Sequence, residues 1–226
     1  MAYRQPRFSR PPGATELLLV RHGESRAADP AHPFPLVDGQ GDPELHPAGR
    51  AQAEAVAARL KHLPLAALYA TKLQRTRETA APTAAALGCD VEVDPDLHEV
   101  HLGAWEGGLF RQKVAELDPV YLEMQRQQRW DVIPGGESPE ALDARLGRAL
   151  ARLHRTHPDT MIAAFVHGGV IAHVLHMATG SQRFAFTGAE NGSISQLLLT
   201  PEGIKVRSFN DVSHLAHLEA GDGRMT

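Results

Sequence analysis

Two kinds of apolar patterning alternate along the chain. Leu17 to Val20, Leu65 to Tyr69 and Met161 to Val166 are short runs dominated by apolar residues, the signature of strands buried on both faces. Between them lie longer stretches of helical character. The first opens at Pro47 and runs to about His62, with Ala51, Ala55, Ala58 and Leu60 expected inward. The next spans Leu73 to Leu87 despite Pro82 and stops at Gly88. Val91 and Val93 alternate with polar neighbours in a short strand. Leu109 to Gln128 reads as helix interrupted near Pro119, and Ser138 caps a helix that starts at Pro139 and reaches about His157. Gly168 and Gly169 turn the Met161 run into a last helix ending near Gly180. Ile194 to Leu199 and Lys205 to Phe209, joined by Pro201-Glu202-Gly203, form a hairpin-like pair. Asp29 to Pro43, rich in proline and glycine, is expected to be an irregular loop.

Strands that alternate with helices predict an α/β fold, a mainly parallel sheet covered on both faces. Ligands of such sheets bind beyond the carboxyl ends of the strands. His22 and His167 each follow a strand there. The length, 226 residues, suits one large domain, taken as residues 15–226 after a flexible arm at 1–14. The net charge of −4 gives no global attraction for nucleic acid or an anionic membrane, so a phosphate site must rely on local cations. No run approaches the ~20 apolar residues of a membrane span. The opening segment lacks an apolar core of the secretory type. Cys89 is the only cysteine, which excludes an intrachain disulfide and fits a reducing compartment. The expectation is a cytoplasmic protein.

Four segments carry candidate chemistry. In Arg21-His22-Gly23, an imidazole at a strand end can attack an electrophile, and the arginine fork can hold phosphate oxygens. In Thr71 to Ala80, a helix start offers free N–H groups to an anion and Arg75 adds a second fork, although Lys72, Arg77 and Glu78 suit a solvated helix face. In Leu97 to Gly107, either Glu99 or Glu106 could supply the proton that a leaving alkoxide needs, and the pattern does not choose between them. In His167-Gly168-Gly169, a second imidazole stands beside a helix N-terminus. Each taken singly has an ordinary reading: a strand-end histidine, a surface arginine, glutamates flanking a packed Trp105, a structural histidine.

Together, in this order, the four motifs resemble the histidine phosphatase superfamily, which includes the cofactor-dependent phosphoglycerate mutases. The likeness runs from about Glu16 to Leu215 and takes in Asn191 to Ile194 and Asn210 to Leu215. It implies the phosphoglycerate mutase-like fold, a three-layer αβα sandwich. It also implies a phosphomonoester hydrolase with His22 as the phosphorylated nucleophile and Glu99, rather than Glu106, as general acid and base. Arg21, Arg75, His167 and Gly168 would bind the phosphoryl group. No metal or cofactor is implied, the partner is a small phosphorylated substrate, and a homodimer is the family-based expectation. Many members carry a phosphate-contacting asparagine where this chain has Ala28, and Ser25 and Arg26 are the candidates to replace it. Mutases typically read Glu-Arg-His-Tyr-Gly in the third motif; Val100 and Leu102 replace the arginine and tyrosine here, which favours hydrolysis. Mutase-type phosphotransfer and a catalytically silent phospho-ligand module are the alternatives. The Asp29 to Pro43 loop and the segment from Leu109 to Pro134, with Phe34, Leu36, Phe110 and Trp130, are expected to wall the pocket.

Overall fold

Leu17 and Leu19 are buried among one group of helices and Leu18 and Val20 among another, so the first strand is covered on both sides. A computed structural model describes residues 3–5 and 7–218. Of the arm expected at 1–14, residues 1, 2 and 6 lie outside the described residues, as does the 219–226 end of the domain. The strands are β1 (Thr15–Arg21), β2 (Leu36–Val37), β3 (Gln40–Gly41), β4 (Leu65–Ala70), β5 (Val91–Val93), β6 (Met161–Val166), β7 (Ile194–Thr200) and β8 (Gly203–Asp211). The helices are α1 (Pro47–Leu60), α2 (Gln74–Leu87), α3 (Leu109–Ala115), α4 (Pro119–Gln127), α5 (Pro139–Thr156) and α6 (Gly168–Thr179). The main sheet has the order β5-β4-β6-β1-β7-β8. β5, β4, β6 and β1 are parallel, and β7 and β8 add an antiparallel ribbon beyond β1. Leu142, Leu146 and Leu153 of α5 and Val170 and Val174 of α6 cover one face; Val56 and Leu60 of α1 and Ala80 of α2 cover the other. The result is the three-layer αβα sandwich.

Two local expectations need correction. On α1 the buried set is Gly49, Ala53, Ala55, Val56, Ala57 and Leu60, while Ala51 and Ala58 are exposed. An alanine-rich helix offers little apolar contrast, so the inward face is chosen by close packing at Gly49. The Asp29 to Pro43 loop is not wholly irregular, because β2 and β3 pair within it. It is also pinned to α2: Asp42 accepts from Gln74 N (2.7 Å), and just beyond the loop Glu78 accepts from Leu45 N (2.9 Å). Phe110 and Trp130 belong to a separate cluster with Trp105, Met124 and Ile133, below α3 and α4.

Candidate active site

β1 and β6 are adjacent and parallel, so the residues that follow them emerge side by side. The rings of His22 and His167 consequently meet edge to face, with centroids 5.2 Å apart. Gly23 and Gly49 let the loop after His22 rest on α1: a Cβ on Gly23 would stand 2.4 Å from Gly49 O, and one on Gly49 would stand 2.0 Å from Glu24 O. Asn191 Nδ2 donates to His22 O (2.9 Å), which ties the start of the loop to the segment before β7. The ring of His22 is fixed from both ends. Its Nδ1 is 2.7 Å from Gly23 O, which can only accept, and Arg75 Nε donates to its Nε2 at 3.3 Å. The proton therefore resides on Nδ1, and Nε2 presents its lone pair toward the guanidinium.

Arg75, in the first turn of α2, also donates to Gly41 O (2.9 Å). Arg21 donates through Nη1 to Ala189 O and lies against the start of α6, where a Cβ on Gly168 would be 3.3 Å from Arg21 Nε. His167 Nε2 pairs with Thr71 Oγ1 at 3.1 Å. Among the described residues, Arg21 Nε and His167 Nδ1 are buried without hydrogen-bond partners. Unsatisfied polar atoms are costly in a protein interior, and here one belongs to the residue before His22 and the other to the ring that meets it.

Glu99 and Glu106 separate in the structure. Glu106 is occupied by backbone, accepting from Gly41 N and Leu102 N at 2.8 Å each. It ties the β3 loop, and with it the carbonyl that holds Arg75, to the segment after Glu99. Glu99 lies over the N-terminus of α6, accepting from Val100 N (2.9 Å) and Gly169 N (3.4 Å). A Cβ on Gly169 would come within 2.7 Å of Glu99 Oε1, so this approach depends on glycine. Gln40 Nε2 and Arg145 Nη2 donate to Glu99 O, at 2.6 and 3.2 Å. Arg145, half-buried and paired with Glu137, is a supporting residue that motif reading missed; no local pattern in α5 marks it.

Electrostatics follow from burial and from the two guanidinium groups. Burial, then Arg75 and Arg21, hold His22 well below the ordinary histidine pKa. His167 is also held well below it, by burial and by Arg75. Burial pushes Glu99 up, opposed by its backbone donors and both arginines. Burial brings Arg75 down to about 10.

Ser25 and Arg26, the candidates to replace the expected asparagine, each have partners within the protein. Arg26 Nε pairs with Glu44 at 3.1 Å and its guanidinium stacks on Phe34, while Ser25 Oγ accepts from Arg111 Nη2 at 2.7 Å. Val100 is buried and Leu102 packs against the Trp105 cluster.

A strand-end imidazole within a cage of arginine donors, on this sheet order, defines a class of phosphoryl-handling enzymes. The chain belongs to the histidine phosphatase superfamily (branch 1), whose sequence profile matches residues 17–212. It is 36% identical over 217 residues to phosphoglycerate mutase-like protein 4 of Arabidopsis thaliana, covering 92% of this chain and 91% of the relative. It is 33% identical to a metal-independent phosphoserine phosphatase of the same plant, covering 89% and 84%. Mycobacterial glucosyl-3-phosphoglycerate phosphatase has a similar structure, with a TM-score of 0.73 and 27% identity over 87% of this chain and 99% of that one. The protein is a histidine-phosphatase-type enzyme with the phosphoglycerate mutase-like fold.

Proposed function

We propose that the protein hydrolyses small phosphomonoesters through a covalent phosphohistidine on His22 and needs no metal. The reading rests chiefly on one observation: His22 Nε2 carries its lone pair beside Arg75, with an unpartnered Nε on the preceding Arg21 and an unpartnered Nδ1 on His167, whose ring meets that of His22. Nε2 attacks phosphorus while the bond to the alcohol oxygen breaks. Arg21, Arg75, His167 and the N-terminus of α6 at Gly168 hold the equatorial oxygens. Protonated Glu99 gives its proton to the departing oxygen. As a carboxylate it then takes a proton from water, which attacks the phosphohistidine and releases phosphate with His22 restored. The arginines supply the positive charge that a metal supplies elsewhere.

Hydrolysis is favoured over mutase-type transfer because Val100 and Leu102 are committed to packing. The metal-independent relative supports the same choice. Among the described residues no helix is long and apolar enough to cross a membrane, and an exposed lone thiol, Cys89, fits a cytoplasmic setting. Brief incubation with a labelled phosphomonoester, followed by an acid or alkaline quench, tests the mechanism. The label is expected to be acid-labile and alkali-stable, and His22→Ala is expected to lose both label and turnover. An acid-stable label, or one that survives in His22→Ala, excludes a phosphohistidine at this position.

A further inference from the structure

Thr71 follows β4 as His167 follows β6, and these two strands are neighbours in the sheet. Thr71, Thr76 and His167 are fully buried. His167 Nε2 is 3.1 Å from Thr71 Oγ1, which lies 2.9 Å from Thr76 Oγ1 and accepts from Leu73 N at 3.3 Å. A hydroxyl has one proton and two lone pairs. With one lone pair taken by Leu73 N, Thr71 must accept from one of its two side-chain neighbours and donate to the other. The hydroxyls therefore run in one of two directions, from Thr76 through Thr71 to His167, or the reverse. Burial and Arg75 keep His167 neutral, so its ring carries a single N–H. The direction then fixes the tautomer. A donating Thr71 leaves the ring proton on Nδ1, and an accepting Thr71 needs it on Nε2.

His167 Nδ1 has no partner among the described residues, and its ring meets that of His22. The oxygens of an ionised phosphoryl group only accept hydrogen bonds, so a bare lone pair on Nδ1 would repel them and an N–H would bind them. The local bonding permits the direction that supplies this N–H. Thr76 Oγ1 accepts from Thr71 N at 3.1 Å in either case. When its proton turns from Leu73 O (2.8 Å) to Thr71 Oγ1, that carbonyl keeps the Thr76 N–H at 3.1 Å. We infer that Thr71 is a positioning residue whose hydroxyl, backed by Thr76, donates to His167 Nε2 and holds the ring in the Nδ1–H tautomer that grips the phosphoryl group. This rests on the phosphatase reading above, which brings a phosphoryl group to these two rings.

Nitrogen NMR of the full chain with isotope-labelled histidine, saturated with inorganic phosphate, reads the tautomer directly. The signals of His167 are assigned by their loss in His167→Asn. The wild type is expected to show a protonated Nδ1 and a bare Nε2. A protonated Nε2, whether Nδ1 is bare or protonated as well, overturns the proposal. Thr71→Val keeps the shape of the side chain and removes its hydroxyl. It is expected to lower kcat/KM for a phosphomonoester about ten- to hundredfold, and Thr71→Ser to restore most of the loss. In a His167→Asn background the same change should cost no more than about twofold, because the ring it orients is gone. An unaltered kcat/KM in Thr71→Val overturns the proposal, and so does an equal loss in both backgrounds, which would assign Thr71 to the fold. Wild-type hydrolysis of p-nitrophenyl phosphate, lost in His22→Ala, checks the underlying phosphatase reading separately, since the tautomer is read with phosphate alone.

Discussion

At His22 and Glu99, burial acts in opposite directions on two groups a few side chains apart. It favours the neutral form of each: imidazole at His22, carboxylic acid at Glu99. On the proposed mechanism these are the two forms that must coexist. With the ionisation of the substrate accounted for, kcat/KM should rise as His22 loses its proton, at a pH well below 6.5. It should fall as Glu99 loses its own, above the ordinary carboxylate range. Glu99→Gln is expected to abolish the falling limb and to lower kcat for alkyl phosphates by about 10²–10⁴. The loss for p-nitrophenyl phosphate should be much smaller, since its leaving group scarcely needs a proton. A falling limb that persists in Glu99→Gln would show that another group provides the acid. At this scale local pattern exposed the motif residues but left Glu99 and Glu106 equivalent, and only the family resemblance favoured Glu99. Both carboxyls occur in one short segment, and only hydrogen bonding separates the one held by backbone from the one over α6.

Among the elements, α1 and α5 each contain a glycine, and the two should respond oppositely to the same change. Gly147 in α5 has room, because an added Cβ would meet only Met177 Cε, at 4.0 Å. Gly147→Ala is expected to stabilise by about 0.5–1 kcal/mol, as alanine restricts the unfolded chain and favours helix. Gly49 in α1 has none, because its Cβ would stand 2.0 Å from the Glu24 backbone. Gly49→Ala is expected to destabilise by at least about 1–3 kcal/mol and to reduce kcat, by displacing the loop that starts from His22. Thermal unfolding and steady-state rates check both. A Gly49→Ala protein with unaltered rates would mean that the loop does not depend on α1 for its position. The elements themselves were legible from apolar runs, prolines at helix starts and glycines at helix ends. The inward face of α1 was not, because alanine fills both sides and the close contact at Gly49 involves backbone distant in sequence.

Across the whole molecule, burial lowers the pKa values of His22, His98, His167, His173 and His214 below the ordinary histidine value. In the unfolded chain each takes up a proton near pH 6.5, while in the folded protein each does so at lower pH. Between those values the unfolded state binds more protons, so stability should rise with pH through this window and fall as pH drops below about 6.5. Melting temperatures measured from pH 7.5 to pH 5 are expected to decline steadily below that point. His22→Asn should show a shallower decline than the wild type. An equal or steeper slope would show that His22 is not held neutral by the fold.

The chain alone determined where the strands of the main sheet and the helices lie, that this sheet is mainly parallel, and which motif residues follow its strands. Those properties are written in local periodicity and in turn residues, which act over a few positions. Tertiary structure alone decided that β7 lies antiparallel beside β1, that Glu106 braces the β3 loop, and that Arg145 supports Glu99 from α5. It alone brought Arg111 to Ser25. Each of these depends on contacts between distant segments, and whether a charged side chain braces backbone or faces a ligand depends on the groups that folding places around it.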